Sequence, residues 1–213
     1  MLDYQKEFIS YALECGVLKF GQFQLKSGRI SPYFFNTGLF NTGAKLDKLG
    51  HFYAQALINS GLEVDILYGP AYKGIPLVSA TSIAYSRITG KDIPFAFNRK
   101  ESKDHGEGGV LVGSALQGNA LILDDVITAG TSVRESVEII HNAKATPVGV
   151  LIALDRQEKG TNDVSAVAEV EQQYSMPVKA IISLSNIIEF LQEDSNKCSE
   201  LTTIEQYQQC YGI

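Results

Sequence analysis

Two adjacent carboxylates, Asp124 and Asp125, follow directly on the apolar run NALIL at residues 119–123, and the small, hydroxyl-rich run TAGTS follows them at residues 128–132. An apolar run ending in acids places the acids at the carboxyl end of a buried strand, the edge where open α/β sheets bind ligands. A turn of small residues ahead of a helix exposes free backbone N–H groups and the positive end of the helix dipole, and its hydroxyls add donors; together these cradle a phosphate. Carboxylates beside the cradle would repel a bare phosphate, but they accept hydrogen bonds from the vicinal hydroxyls of a ribose. The joined string therefore implies a sugar phosphate. Either half alone reads equally as a polar loop with a helix cap. The Gly-Lys-Ser/Thr ending of a Walker A loop is missing.

Four other segments carry residue types suited to anions or flat rings. FQLKSGRISPYFFN, residues 23–36, sets Lys26 and the adjacent Phe34 and Phe35 around a Gly/Ser/Pro turn, a π face with a nearby cation. YGPAYKGIP, residues 68–76, fixes a tight loop with Gly and Pro and presents Tyr72 and Lys73. NRKESKDHGEGG, residues 98–109, is charged and glycine-rich, and by composition alone it is a solvated surface loop. ALDRQEKG, residues 153–160, ends an apolar strand with Arg156, whose fork can take a carboxylate. Each has a plain alternative: Phe34 and Phe35 as core, Lys26 as solvated, and Arg156 as a surface residue paired with Glu158 or Asp155.

Positioning these residues at one edge requires a parallel sheet with helices on its faces. Short apolar runs alternating with segments of helical period predict that α/β class. Strands are expected over Val64–Tyr68, Ile93–Phe97, Asn119–Asp124, Pro147–Leu154 and Val178–Leu184, each apolar enough to be covered on both faces. Helices are expected over Tyr4–Cys15, Lys45–Asn59, Ile75–Ile88, Ser132–Ala143, Val164–Tyr174 and Leu201–Cys210, with stops at Gly16, Gly61 and Gly90. No linker or repeat divides the chain, so residues 1–213 read as one domain, with the less regular residues 1–42 as a small hood over one end of the sheet.

The chain has 213 residues, 45% hydrophobic and 20% charged, with a formal net charge of -6 and a pI near 5.1. That balance argues against the nucleic-acid backbone or an anionic membrane as main partner. Cys15, Cys198 and Cys210 are widely spaced and suggest neither a disulfide framework nor a zinc site. With no signal-peptide pattern and no apolar run long enough to span a bilayer, a cytoplasmic protein is expected. His51, His141 and the C-terminal residues 199–213 carry no functional signal.

The string at residues 121–132, apolar residues, two acids, two apolar residues and then TAGTS, resembles the phosphoribosyl-pyrophosphate (PRPP) motif of the type I phosphoribosyltransferases. With the four other segments, most of the chain is similar to the bacterial, homodimeric orotate phosphoribosyltransferases. The resemblance implies a central, mostly parallel sheet flanked by helices, and transfer of ribose 5-phosphate from PRPP to orotate. The products are orotidine 5′-monophosphate and pyrophosphate, on the path to UMP, with Mg2+ as cofactor. It assigns PRPP to Lys26, Tyr72, Lys73, Arg99, Lys100, Lys103, His105, Asp124, Asp125, Val126, Ile127, Thr128, Ala129, Gly130, Thr131 and Ser132. It assigns orotate to Lys26, Phe34, Phe35, Thr128 and Arg156. Residues 98–109 become a catalytic lid that reaches in part into the partner subunit's site, and the bond from Ala71 to Tyr72 is one the family often holds in cis.

Displacement at the anomeric carbon asks for cations on the leaving pyrophosphate and for electrostatic preorganisation at the ribosyl centre. Lys103, His105, Asp124 and Asp125 are the candidates for catalysis, with His105 or Lys103 assisting either proton movement or pyrophosphate. Mg2+ would be held mainly by PRPP oxygens and water, with Asp124 or Asp125 as its protein contact. A ring nitrogen of the acceptor is the nucleophile, so no Ser or Cys is needed. Two rivals share the central motif: a PRPP-sensing regulator without chemistry, and a transferase for a purine base lacking the Lys26, Phe34, Phe35 and Arg156 set.

Overall fold

A computed structural model of the chain describes residues 1–25, 28–103, 109–127, 130–160, 164–194 and 197–213, with backbone alone for residues 102, 103 and 109. Its centre is a six-stranded sheet built from β3 (Ile66–Gly69), β4 (Phe95–Lys103), β5 (Gly109–Gly113), β6 (Asn119–Leu123), β7 (Thr146–Asp155) and β8 (Val178–Ser183). The strand order is β5-β4-β3-β6-β7-β8, parallel throughout except for the antiparallel edge pair β4–β5. This is the α/β class that the alternating apolar runs predict.

Alternation along the strands sorts side chains between two cores. Leu67, Leu121, Leu123, Leu151 and Ala153 face one side. There they meet α1 (Asp3–Glu14), α2 (Gly43–Ser60), α3 (Gly74–Thr89), α6 (Leu184–Gln192) and α7 (Cys198–Tyr211). Ile66, Tyr68, Ile122, Val150 and Ile152 face the other, against α4 (Thr131–Asn142) and α5 (Ala166–Tyr174). Burial on both faces explains why these strands read as continuous apolar runs.

Several expectations are corrected. Residues 1–42 are regular: they hold α1, the antiparallel hairpin of β1 (Leu18–Gln24) and β2 (Ile30–Phe35), and a 3-10 turn at Thr37–Leu39. The strand expected to stop at Phe97 runs on to Lys103, so residues 98–103 are strand rather than loop; β5 pairs with them antiparallel at Asn98 and Lys103, with an irregularity between. Helix α6 begins at Leu184, where the expected strand was to end, because the Ser183 hydroxyl and Asn186 side chain form a reciprocal cap. Helix α7 starts at Cys198 rather than Leu201, and α5 at Ala166, capped by Ser165. Helices α2 and α3 stop at Gly61 and Gly90 as expected.

Sheet order reverses between β3 and β6. From β3 the chain builds outward to β4 and β5; from β6 it builds the opposite way to β7 and β8. The loops leaving such a pair diverge to opposite faces and open a crevice at their carboxyl ends. Here those loops include residues 70–73 and 124–127.

Candidate active site

The loop after β3 is held close to the helix that follows it. A Cβ on Gly74 would lie 2.6 Å from the Gly69 carbonyl carbon, so α3 can start this near the strand only with glycine there. Within the loop, the Ala71–Tyr72 peptide is cis, as the resemblance implies. The Ala71 amide donates to Asn98 Oδ1 at 2.8 Å, tying the loop to β4. Tyr72 stands 71% exposed, with Lys100 Nζ 5.9 Å from its ring centroid. Lys100 itself is exposed and Arg99 half-buried.

The loop after β6 carries the acid pair. Asp124 is buried, and its backbone oxygen accepts from the Tyr53 hydroxyl of α2 at 2.8 Å. Burial pushes the Asp124 carboxyl up to about 6, against the opposing pull of the Ser132 hydroxyl and the Asp125 amide, which donates to Asp124 Oδ1 at 2.8 Å. Asp125 lies nearer solvent. Its Oδ1 accepts from the Val126 amide at 2.9 Å; its Oδ2 accepts from Thr37 Oγ1 at 2.8 Å and from Lys73 Nζ at 2.6 Å. One carboxylate thus joins three elements: the 3-10 turn, the β3 loop and the β6 loop.

Beyond the acids, α4 begins at Thr131 with Gly130 as its cap at φ 67, a left-handed conformation that favours glycine. Asp124, Val126, Ile127, Gly130, Thr131 and Ser132 line a cleft of about 240 Å3 at this helix start. Free N–H groups of the first turn, the dipole and the two hydroxyls suit it to a phosphate. A second cleft of about 140 Å3 continues between Ala71, Asn98, Lys100 and Ser132. Among the described residues, no group of three or more His, Cys, Asp or Glu is arranged to hold a metal.

A third cluster surrounds Arg156 at the end of β7. Its Nη2 donates to Glu158 Oε1 at 2.6 Å and to Ser31 Oγ at 3.1 Å, and its guanidinium carbon sits 4.3 Å from the Tyr33 ring centroid. The pairing with Glu158 is the alternative that the sequence leaves open, yet Ser31 and Tyr33 come from the same hairpin as the expected ring-binding residues. Phe34 and Phe35 point to opposite faces of that hairpin. Phe34 is 39% exposed and stacks on Phe23 at 5.4 Å, whereas Phe35 packs edge-on against Phe8 at the core. Phe34 is the more exposed ring of the two, Phe35 being half-buried.

The structure thus brings Tyr72, Lys73, Lys100, Asp124, Asp125 and the α4 start to one crevice. Lys26, His105, Thr128 and Ala129 lie outside the described residues, as does the Lys103 side chain. Thr37, Tyr53, Asn98 and Glu158 are functional candidates that the sequence does not single out. Thr37 and Tyr53 sit 88 and 71 residues from the acids they touch, with no local pattern to mark them.

Residues 39–181, more than half of the chain, match the phosphoribosyl transferase domain family. Orotate phosphoribosyltransferase of Methylococcus capsulatus is 60% identical over 212 residues, covering 100% of this chain and 99% of that protein. The enzyme of the same name from Thiobacillus denitrificans is 56% identical with 100% of both chains covered. The crystal structure of orotate phosphoribosyltransferase from Francisella tularensis superposes with a TM-score of 0.89 at 45% identity, covering 97% of this chain and 100% of that one. A full-length match at this identity, on a sheet whose switch point carries the acid pair and helix-start cradle, shows that the chain belongs to the phosphoribosyl transferase family and, within it, to the orotate phosphoribosyltransferases.

Proposed function

We infer that the protein transfers the ribose 5-phosphate group of PRPP to orotate, giving orotidine 5′-monophosphate and pyrophosphate in the de novo route to UMP. The observation that carries this reading is the crevice between β3 and β6, where Lys73 and Asp125 meet beside the α4 cradle. In the transfer, a ring nitrogen of orotate forms a bond to the anomeric carbon as the carbon–oxygen bond to pyrophosphate breaks; the electron pair leaves with pyrophosphate, and the proton lost from the ring N–H ends on the released pyrophosphate.

The roles follow from charge and position. The α4 start, with Gly130, Thr131 and Ser132, holds the 5-phosphate, as do Thr128 and Ala129 by resemblance. Asp124 and Asp125 accept from the ribose hydroxyls, with Val126 and Ile127 beside them. Tyr72, Lys73, Arg99 and Lys100 gather at the diphosphate end, where negative charge grows as the bond breaks. By resemblance, Lys103 and His105 are assigned to the same end as part of a lid, and Lys26 to the junction with the base. Arg156 takes the orotate carboxylate, which uracil lacks, and Phe34 the ring face. The core-side placement of Phe35 supports a role in setting the hairpin rather than touching the base.

Mg2+ fits this donor set. Two neighbouring carboxylates at a sheet edge are the sparse protein contribution of a magnesium that keeps waters and substrate oxygens as its other ligands, so Asp124 or Asp125 would contact it. When bound, it would neutralise part of the diphosphate charge. A homodimer in the cytoplasm completes the reading, with residues 1–42 as a hood: Thr37 reaching Asp125 and Ser31 reaching Arg156 support that role.

The test is direct. Protein mixed with PRPP, Mg2+ and orotate should consume orotate absorbance, with adenine, hypoxanthine and uracil inert. Turnover of a purine base instead of orotate would overturn the acceptor; no turnover with any base would overturn the enzyme reading.

A further inference from the structure

The residues that follow Arg156 are held by contacts from the far end of the chain. The next residue, Gln157, has φ 49, a left-handed backbone unusual for a side chain other than glycine. That conformation is held on both sides. The Gln157 carbonyl accepts from the Ile213 amide at 3.2 Å, and its side-chain oxygen accepts from the Ser185 amide at 2.9 Å and the Ser185 hydroxyl at 2.7 Å. Glu158 bridges to Gly212, and the Lys159 amide donates to the Tyr211 carbonyl at 2.8 Å. Arg29 closes the arrangement: its Nη1 donates to the Lys159 carbonyl at 2.9 Å while its guanidinium lies 4.9 Å over the Tyr211 ring.

A column of rings makes a second, independent link. Tyr33, which supports the Arg156 guanidinium, meets Tyr207 edge-on at 6.4 Å and 87°, and Tyr207 meets Tyr211 at 4.9 Å. Tyr207 is buried, and its hydroxyl sits in the field of Arg156 and Glu158 without a hydrogen bond of normal geometry. The last turn of α7 therefore backs both the guanidinium's π support and the strand-end backbone that carries Arg156.

We propose that the C-terminal segment from Tyr207 to Ile213 is a positioning element for Arg156 and hence for capture of the acceptor's carboxylate. The proposal rests on the reading of this protein as an orotate phosphoribosyltransferase and deepens it. An arginine has many rotamers, and a planar, two-point grip on a carboxylate tolerates little angular error. Fixing the guanidinium before the acceptor arrives removes an ordering cost from acceptor binding and leaves PRPP binding untouched. Among the described residues no hydrogen bond or ring contact joins the segment to the acid pair or the α4 start, so its influence is expected on the acceptor side.

Steady-state kinetics on the full chain tests this, with three variants beside the unmodified protein: Tyr207→Leu, Tyr207→Phe and deletion of residues 212–213. Tyr207→Leu and the deletion should each raise KM for orotate about tenfold while KM for PRPP stays within about twofold. Tyr207→Phe, which keeps the ring, should stay within about twofold of the unmodified protein on both. In an Arg156→Ala background the Tyr207→Leu effect on orotate should vanish, because the two residues act as one unit. Equal changes in both KM values, a fall in kcat alone, or additive effects in the double variant would overturn the proposal. If Tyr207→Leu does not fold, the deletion decides by the same criteria. Absence of orotate turnover in the unmodified protein is a different result, which overturns the assigned reaction itself.

Discussion

Lys73 Nζ and Asp125 Oδ2 lie 2.6 Å apart, joining the loop after β3 to the loop after β6 across the switch point of the sheet. The lysine side chain is 63% exposed and the aspartate 14%. Solvent screens such a pair, so it contributes little to stability. Its importance is that the cation is already at the crevice, stored on a carboxylate that the ribose hydroxyls would claim. Lys73→Ala should raise KM for PRPP by about tenfold or more. Unfolding free energy should shift by less than about 1 kcal/mol. Initial rates and urea melts measure the two. A large loss of stability with unchanged use of PRPP would make Lys73 a structural residue.

Asp124 is an acid whose charged form the fold disfavours. A carboxyl whose folded pKa exceeds its unfolded value binds its proton more tightly when folded, so its charged form opposes folding. The rise from 3.8 to about 6 corresponds to on the order of 3 kcal/mol, caused first by burial. Asp124→Asn should therefore stabilise the ligand-free, metal-free protein by about 1–3 kcal/mol above pH 6. The gain should shrink as pH falls from 6 toward 4 and be absent below. Thermal melts of both proteins across pH 4–8 follow it, and a variant less stable than its parent at pH 8 would contradict this account. Activity should fall at every pH.

The contrast between these two acids shows what was legible in the chain. The joined string at 119–132 locates both carboxylates, the strand before them and the helix after them, because each piece is local in sequence. The core strands are equally plain, since Leu121, Leu123, Ile122 and their neighbours are buried on both faces and leave an unbroken apolar run. Less was visible where pairing is short or interrupted. β1 contains Gly21 and has a single partner, and β5 is five residues long with a glycine at each end. α6 was hidden because the apolar run of β8 continues through Leu184, and only the Ser183–Asn186 cap marks the change. Thr37, Tyr53 and Tyr207 left no trace in the sequence, because their roles arise when distant elements meet.

Thr37 shows how such a residue is tested. Its hydroxyl gives Asp125 Oδ2 a neutral donor at 2.8 Å, alongside the charged one from Lys73. Thr37→Val keeps the shape and removes the donor. The carboxylate is then free to rotate, and kcat/KM for PRPP should fall about tenfold, or ~1.4 kcal/mol. Thr37→Ser should restore most of it. Equal rates for the valine and serine variants would show that packing, not the hydroxyl, matters at this position.

Arg156→Lys keeps the charge at the end of β7 but loses the planar fork. It also loses the stacked contact with the Tyr33 ring, and the single ammonium cannot serve Glu158, Ser31 and a ligand together. KM for orotate should rise by about 30–100-fold, corresponding to ~2–3 kcal/mol. KM for PRPP should change little. Kinetics with each substrate varied in turn separates the two, and an unaltered orotate KM would remove Arg156 from acceptor recognition.

The β4–β5 edge makes the last case. β4 runs past the end of β3 to Lys103, which pairs with Gly109 at the tip of the strand pair. If Lys103 serves the diphosphate as proposed, its effect should fall on the step in which charge grows on the leaving group. Binding of PRPP, which is assigned to the Lys73 loop and the α4 cradle, should depend on it far less. Lys103→Gln should accordingly lower kcat by about a hundredfold or more while Kd for PRPP stays within about threefold. Turnover under saturating substrates and calorimetric titration with PRPP give the two numbers. A variant as active as its parent would deny the tip any part in the chemistry, and a parallel loss of affinity would make Lys103 a binding residue instead.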